Sequence, residues 1–254
     1  WDNRHSNLRA PGDVYESHAY HFQNPDFKLQ DIPKVSVVPE GNQYKNNESF
    51  PVIINEYGWL WLNRDGTVTT LTKNLYKNLL GENSTTAQRR HLYAMYTAAE
   101  TEFWRCHRNA AAVLHFTALG YSRSDGQTSD NFVDPAKLEY EAEFLKYMPD
   151  AFSPVGIMLD EWGKTIEKGK SHNFNIIAIN DLEPGWSGRV HLQILKGEKV
   201  VRDQSIPLTI PSYGKKMASI ACMTPGVGGL YTVQAVLEKK NAKPVKSVRE
   251  IVFE

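Results

Sequence analysis

Only two cysteines occur in the 254 residues, Cys106 and Cys222, and they fall in segments of unlike pattern. A disulfide framework or a zinc ribbon is excluded by that count. No run approaches 18 consecutive apolar residues, and Trp1-Asp2-Asn3-Arg4-His5 has neither the basic start nor the apolar stretch of a signal peptide. No segment is therefore expected to span or anchor to a membrane. Net charge is also missing: 29 Lys+Arg stand against 29 Asp+Glu. No basic face is then expected to replace the counterions of nucleic acid or of an anionic membrane, and neither is an expected partner. The absence of a Gly-rich phosphate loop after a strand, and of a Gly-x-Ser-x-Gly elbow, removes support for nucleotide binding and for a serine hydrolase. No cofactor is expected. His18 and His21 are too few for a metal site, which needs at least three protein ligands, and Cys106-His107 reads as packing at a helix end.

What is present is the composition of an ordinary globular protein, and the length suits one large or two medium domains. The two parts of the chain differ in pattern. From residue 153 onward, short apolar or alternating runs (154–159, 174–179, 190–195, 199–202, 206–210, 216–221, 230–237 and 245–253) are separated by turn signals such as Pro184-Gly185, Lys196-Gly197 and Pro225-Gly226. About eight strands at this spacing predict an immunoglobulin-like β-sandwich over 153–254.

Residues 1–152 instead alternate strand and helix signals. Asp13 to Tyr20 reads as a short strand, and Phe50-Pro51-Val52-Ile53-Ile54-Asn55 as a strand buried on both faces. Thr85 and Gln88 have capping-box spacing ahead of an apolar stripe at Leu92, Met95, Tyr96, Ala99 and Phe103, which predicts a helix ending near 105–108. Ala110 to Phe116 is the next buried strand, completing a βαβ unit. Asp134-Pro135 offers an N-cap and first-turn proline for a helix over 136–147.

The chemistry concentrates in Phe50 to Trp61, FPVIINEYGWLW. In βα architectures the C-terminal end of a strand faces the active-site mouth, which places Glu56 where catalytic groups originate. Gly58 permits unusual backbone geometry, and Trp59 and Trp61 offer flat apolar faces beside the acid. A carboxylate to meet an oxocarbenium-like centre, next to platforms for pyranose rings, is what sugar hydrolysis needs.

The stretch Pro51-Val52-Ile53-Ile54-Asn55-Glu56-Tyr57-Gly58 resembles the nucleophile strand of clan A glycoside hydrolases, most closely family 2, where a "P-V-I-x-x-E-Y-G" element ends the seventh strand of the catalytic barrel. His18-Ala19-Tyr20 resembles the His-Pro-Tyr element of the sixth strand, with His18 and Tyr20 matching and the proline absent. Trp1-Asp2-Asn3 is similar to the stretch leaving the fifth strand, and residues 110–116 to the eighth, ending at His115. The resemblance covers roughly residues 1–150, and a sandwich domain commonly follows in that family.

It implies an α/β plus all-β chain: a partial (β/α)8 barrel, then the sandwich. A whole barrel of about 250 residues and a sandwich of about 100 exceed the length present, so the chain is expected to be the C-terminal part of a larger, secreted or periplasmic glycosidase. By the same resemblance Glu56 is the nucleophile of a retaining, double-displacement mechanism on an oligo- or polysaccharide, with the acid/base residue missing from this chain. Tyr20 or Tyr57 would hold the Glu56 carboxylate, and His18 and Trp59 would contact the sugar. Asn55, Trp61 and His115 would complete the site, with Arg123 or Asp130 reaching substrate from the 121–130 loop. The competing expectation is a non-catalytic carbohydrate-binding or scaffold protein that keeps the aromatic platform without two carboxylates.

Overall fold

A computed structural model of the chain describes residues 14–35, 51–120, 126 and 130–254. The chain divides into two compact units, Trp1–Lys146 and Tyr147–Glu254.

In the first unit β1 (Tyr15–Ala19), β2 (Val52–Tyr57) and β3 (Ala112–Val113) form one parallel sheet in that order. Between β2 and β3 run α1 (Lys73–Leu80) and α2 (Thr86–His107). The start of α2 follows from its sequence: Thr85 Oγ1 accepts the Gln88 N–H at 3.2 Å, and the Thr85 N–H donates to Gln88 Oε1 at 2.8 Å. This reciprocal box satisfies two donors that a helix start otherwise leaves open. The helix is buried on more than the anticipated stripe, because Thr97, Glu100, Thr101 and Glu102 are buried along with Leu92, Met95, Ala99 and Phe103. α1 is not among the expected elements, although Leu75, Tyr76, Leu79 and Leu80 recur on one helical face and Leu75 and Tyr76 are buried.

The Asp134 expectation resolves differently. Its Oδ1 accepts the N–H groups of Ala136 and Lys137, at 3.1 and 3.2 Å, and closes a turn between β4 (Phe132–Asp134) and β5 (Glu139–Tyr140). The helix, α3 (Ala142–Ala151), starts later, where Glu141 Oε2 accepts the Phe144 N–H at 2.8 Å. An aspartate serves a tight turn as readily as a helix cap, and the short hairpin takes it.

The expected partial (β/α)8 barrel, and the α/β class with it, is overturned. Strand makes up 40% of the structure against 22% helix, so the chain is mainly β. The three parallel strands form a curled, open sheet, and the stretch 110–116 keeps ladder pairing only at Ala112–Val113. Leu114 is half exposed there, so the anticipated double burial fails. Among the described residues between β1 and β2 the chain forms short 3-10 turns, at His21–Gln23 and Leu29–Lys34, and no α-helix. Strand–helix–strand alternation specifies local parallel pairing, whereas a barrel needs successive full-length strands, each backed by a helix.

The second unit contains β6 (Val155–Leu159), β7 (Thr165–Ile166), β8 (Ser171–Asn180), β9 (Trp186–Lys196), β10 (Lys199–Ile210), β11 (Lys215–Met223), β12 (Gly229–Glu238) and β13 (Val245–Phe253). A five-stranded sheet, β10-β9-β12-β13-β7, faces a three-stranded one, β11-β8-β6. All pairs are antiparallel except β13–β7. The core is built by alternation: Phe174, Ile176 and Ala178 from one sheet meet Val190, Leu192, Ile194 and Val233 from the other. The two runs expected at 199–202 and 206–210 join into the single strand β10, because Asp203 and Ser205 are engaged from β9 by His191, Gln193 and Arg189. Gly188 is obligatory: a Cβ there would lie 2.4 Å from Glu238 O and 2.6 Å from the Trp186 ring. The unit is a two-sheet sandwich, and the expected immunoglobulin-like class is overturned with the mixed α/β reading. Cys106 and Cys222 are both buried and are not joined in a disulfide. Among the described residues no helix is long and apolar enough to cross a membrane.

Candidate functional site

The ladder between β1 and β2 pairs Ser17 with Ile54 but His18 with Glu56, leaving Asn55 as an extra residue on β2. A bulge of this kind resets the alternation of side chains. Ile54 and Tyr57, three apart, are both fully buried as a result, and the Tyr57 hydroxyl shares a 2.6 Å hydrogen bond with Thr101 of α2. Glu56 therefore projects from the face opposite α2. Without the bulge, Asn55 would stand beside His18.

Two side chains from β1 and its end meet Glu56. The Tyr20 hydroxyl donates to Glu56 Oε2, and His18 Nδ1 lies 3.6 Å from the same oxygen. Glu56 keeps 26% of its side chain accessible and His18 30%, so the group opens to solvent. The Tyr20 phenol is held well above its ordinary pKa, first by burial and then by its hydrogen bond to Glu56 and the charge of that carboxylate. It remains a protonated donor throughout the working pH range, fixing Oε2.

Aromatic rings wall this carboxylate. Tyr20 meets Trp59 and Trp61 edge-on, at centroid distances of 5.2 and 5.6 Å, and the two tryptophans are 4.5 Å apart. Gly58 and Trp59 have φ of +104° and +85°. The left-handed conformation is ordinary for glycine, but for tryptophan it costs on the order of 1–3 kcal/mol and must be held by its surroundings. Trp61 supplies part of that hold. It is 5% exposed, and its indole N–H donates to Phe116 O at 3.1 Å. Thr72 Oγ1 donates to Trp61 O at 2.7 Å, and the Tyr76 hydroxyl donates to Leu60 O. Trp59 is the more open ring of the pair, with Trp61 behind it.

The other anticipated residues lie elsewhere. Tyr57 and His115 are turned away from Glu56: the His115 ring sits among Tyr57, Tyr93 and Phe144. This enclosure lowers its pKa to about 4 by desolvation, so the ring is neutral near pH 7. Asn131 Nδ2 donates to the Tyr93 hydroxyl at 3.0 Å, and that hydroxyl shares a hydrogen bond with His115 Nε2 at 3.1 Å. Asn55 is partly buried at the bulge. Arg123 and Trp1 to Asn3 lie outside the described residues. Asp130 is fully buried and paired with Arg64 at 2.5 Å, which withdraws it from a substrate role. Among the described residues no group of three His, Cys, Asp or Glu side chains could hold a metal ion. Asn131, Tyr93 and Arg64 carry no recognisable motif, and their pairing across 38 and 66 positions leaves no local signal.

No protein-family profile matches this chain, and no curated protein matches it. Solved structures align with part of it. A β-glucosidase from Listeria innocua in complex with isofagomine is 10% identical over 40% of this chain and 16% of its own, with a TM-score of 0.33. The β-glucosidase EmGH1 from Erythrobacter marinus is 10% identical over 39% and 15%, with a TM-score of 0.28. The CARDB domain of PF1109 from Pyrococcus furiosus is 13% identical over 39% and 91%, also with a TM-score of 0.28. The chain spans less than a fifth of the β-glucosidases with which it aligns. Likenesses of this degree say nothing about what the chain does.

Proposed function

We propose that this chain belongs to a retaining glycoside hydrolase in which Glu56 is the nucleophile, acting on an oligo- or polysaccharide outside the cytoplasm. The supporting observation is the Tyr20 hydrogen bond to Glu56 Oε2 beside the Trp59 ring. With Oε2 held by Tyr20, Oε1 is the oxygen that attacks the anomeric carbon. The forming sugar–Glu56 bond replaces the bond to the leaving group, whose oxygen takes a proton from a second carboxylate. Water then reverses the step and releases the sugar. His18 and Trp59 contact the pyranose, His18 by hydrogen bonding and Trp59 by its ring face. The acid/base carboxylate is expected from another part of the whole protein, and no second carboxylate is hydrogen-bonded within the Glu56–Tyr20 pair among the described residues. That same fact favours the second reading, a carbohydrate-binding protein without catalysis.

The two are separated by a 2,4-dinitrophenyl 2-deoxy-2-fluoroglycoside, whose leaving group departs without protonation and so tests the nucleophile apart from the acid. The nucleophile reading expects a sugar adduct on Glu56 in the peptide mass spectrum, absent from Glu56→Gln. In the whole protein Glu56→Gln should lower kcat by several orders of magnitude with little change in Tm. A sugar that binds and quenches tryptophan fluorescence equally in both forms, with no adduct, decides for the binding protein.

A further inference from the structure

A cavity of about 600 Å³ lies between α1 and the start of α2, away from the Glu56 carboxylate, and its charge is unbalanced. Lys73, Lys77 and Arg89 line it, against the single acid Glu82, with Asn74 and Ser84 adding uncharged polar groups. Lys77 and Glu82 neutralise each other at 2.5 Å. Lys73 and Arg89 have no acidic partner among the described residues. Arg89 donates only to neutral oxygens: Gly66 O at 2.8 Å, Ser84 O, Ser84 Oγ at 3.3 Å and Thr86 Oγ1 at 3.2 Å.

The cations also stand where their own helices disfavour them. Lys73 is the first residue of α1 and Arg89 lies in the first turn of α2, both at the positive end of a helix dipole, and neither first turn contains an acid. A bound anion would relieve both conflicts at once. The wall of the cavity is built in, since Tyr76 is buried and bonded to Leu60 O.

We propose that this cavity is a binding site for a sulfate or phosphate group, contacted by Lys73, Lys77 and Arg89. Its volume accommodates such a group on a sugar ring as well as the free ion. The proposal does not depend on the role of Glu56.

The test is isothermal titration of the chain with inorganic sulfate and with phosphate, against chloride at matched ionic strength. Saturable binding is expected, weakened at least about tenfold in Lys73→Gln/Lys77→Gln, because charge-assisted hydrogen bonds are lost. Both lysines are exposed, so an unchanged Tm checks that the fold is intact. Glu82→Gln removes the opposing charge and should tighten binding, an outcome that a purely structural role for the lysines does not produce. Glucose 6-sulfate, with glucose as control, distinguishes the sources. Binding at least about tenfold tighter than inorganic sulfate points to a sugar ester, and equal binding to the free ion. No saturation beyond chloride, or a double lysine variant that binds as tightly as the parent, overturns the proposal.

Discussion

The second unit is held by a dry, alternating core, and the first by polar and aromatic contacts reaching across loops. In the sandwich, Phe174, Ile176, Ile194 and Val233 are fully buried in one continuous cluster whose members recur at every second position of their strands. In the first unit the buried set includes Glu100, Thr97, Asp130 and Asn131 alongside the apolar residues, and several of its fixed points are hydrogen bonds between residues dozens of positions apart. Stability in the sandwich comes from removing apolar area from water. In the first unit part of that gain offsets the desolvation of polar groups, and the site is placed by what those groups bond to.

The largest effect expected is in the sandwich. Phe174→Ala leaves a cavity in the buried cluster between the two sheets, and should cost about 3–5 kcal/mol in urea unfolding. A cost under about 1 kcal/mol would show that this core repacks freely, and would erase the contrast between the units.

Next comes the buried acid of α2. Both carboxyl oxygens of Glu100 lack a hydrogen-bond partner, and burial raises its pKa well above the ordinary 4.5. A folded-state pKa raised above the unfolded value means that the folded form binds the extra proton. The unit is then most stable below about pH 4.5 and loses stability as pH rises toward the folded pKa. Glu100→Leu should therefore raise stability at pH 8 by about 1–3 kcal/mol, and by less at pH 4. Thermal melts at both values check it. Equal gains at both pH values would mean that Glu100 is not the titrating group.

The smallest effect is at the capping box. Thr85→Ala should cost about 1 kcal/mol, read as lost hydrogen-exchange protection in the first turn of α2 with the sandwich amides unchanged. Loss of protection along all of α2 would instead tie the whole helix to its cap.

The cap at Thr85, the strand that carries Glu56 and most of the sandwich strands are legible in the sequence, because each is a short-range pattern: a three-residue box, an apolar run, an alternation of period two. The two-residue β7 has no such pattern, and the runs at 199–202 and 206–210 are one strand. Legibility failed wherever one residue type serves two local structures. Asp134 has the signature of a helix cap and closes a hairpin turn, and residues 110–116 have that of a buried strand yet pair over two residues. The resemblance that singled out Glu56, His18 and Tyr20 extended to a barrel that the folded chain does not form.

By itself the sequence determined the local elements and the identity of the acid beside two tryptophans, since these depend on neighbours a few positions apart. Only the tertiary structure decided which side chains face that acid. One unpaired residue at Asn55 turns Glu56 toward His18 and Tyr20 and sends Tyr57 to α2. Burial and bonds across the fold carry His115 into a ring of aromatics and Asp130 to Arg64. A bulge depends on how two strands settle against each other and on the helix behind them, and no stretch of residues read singly contains that free energy.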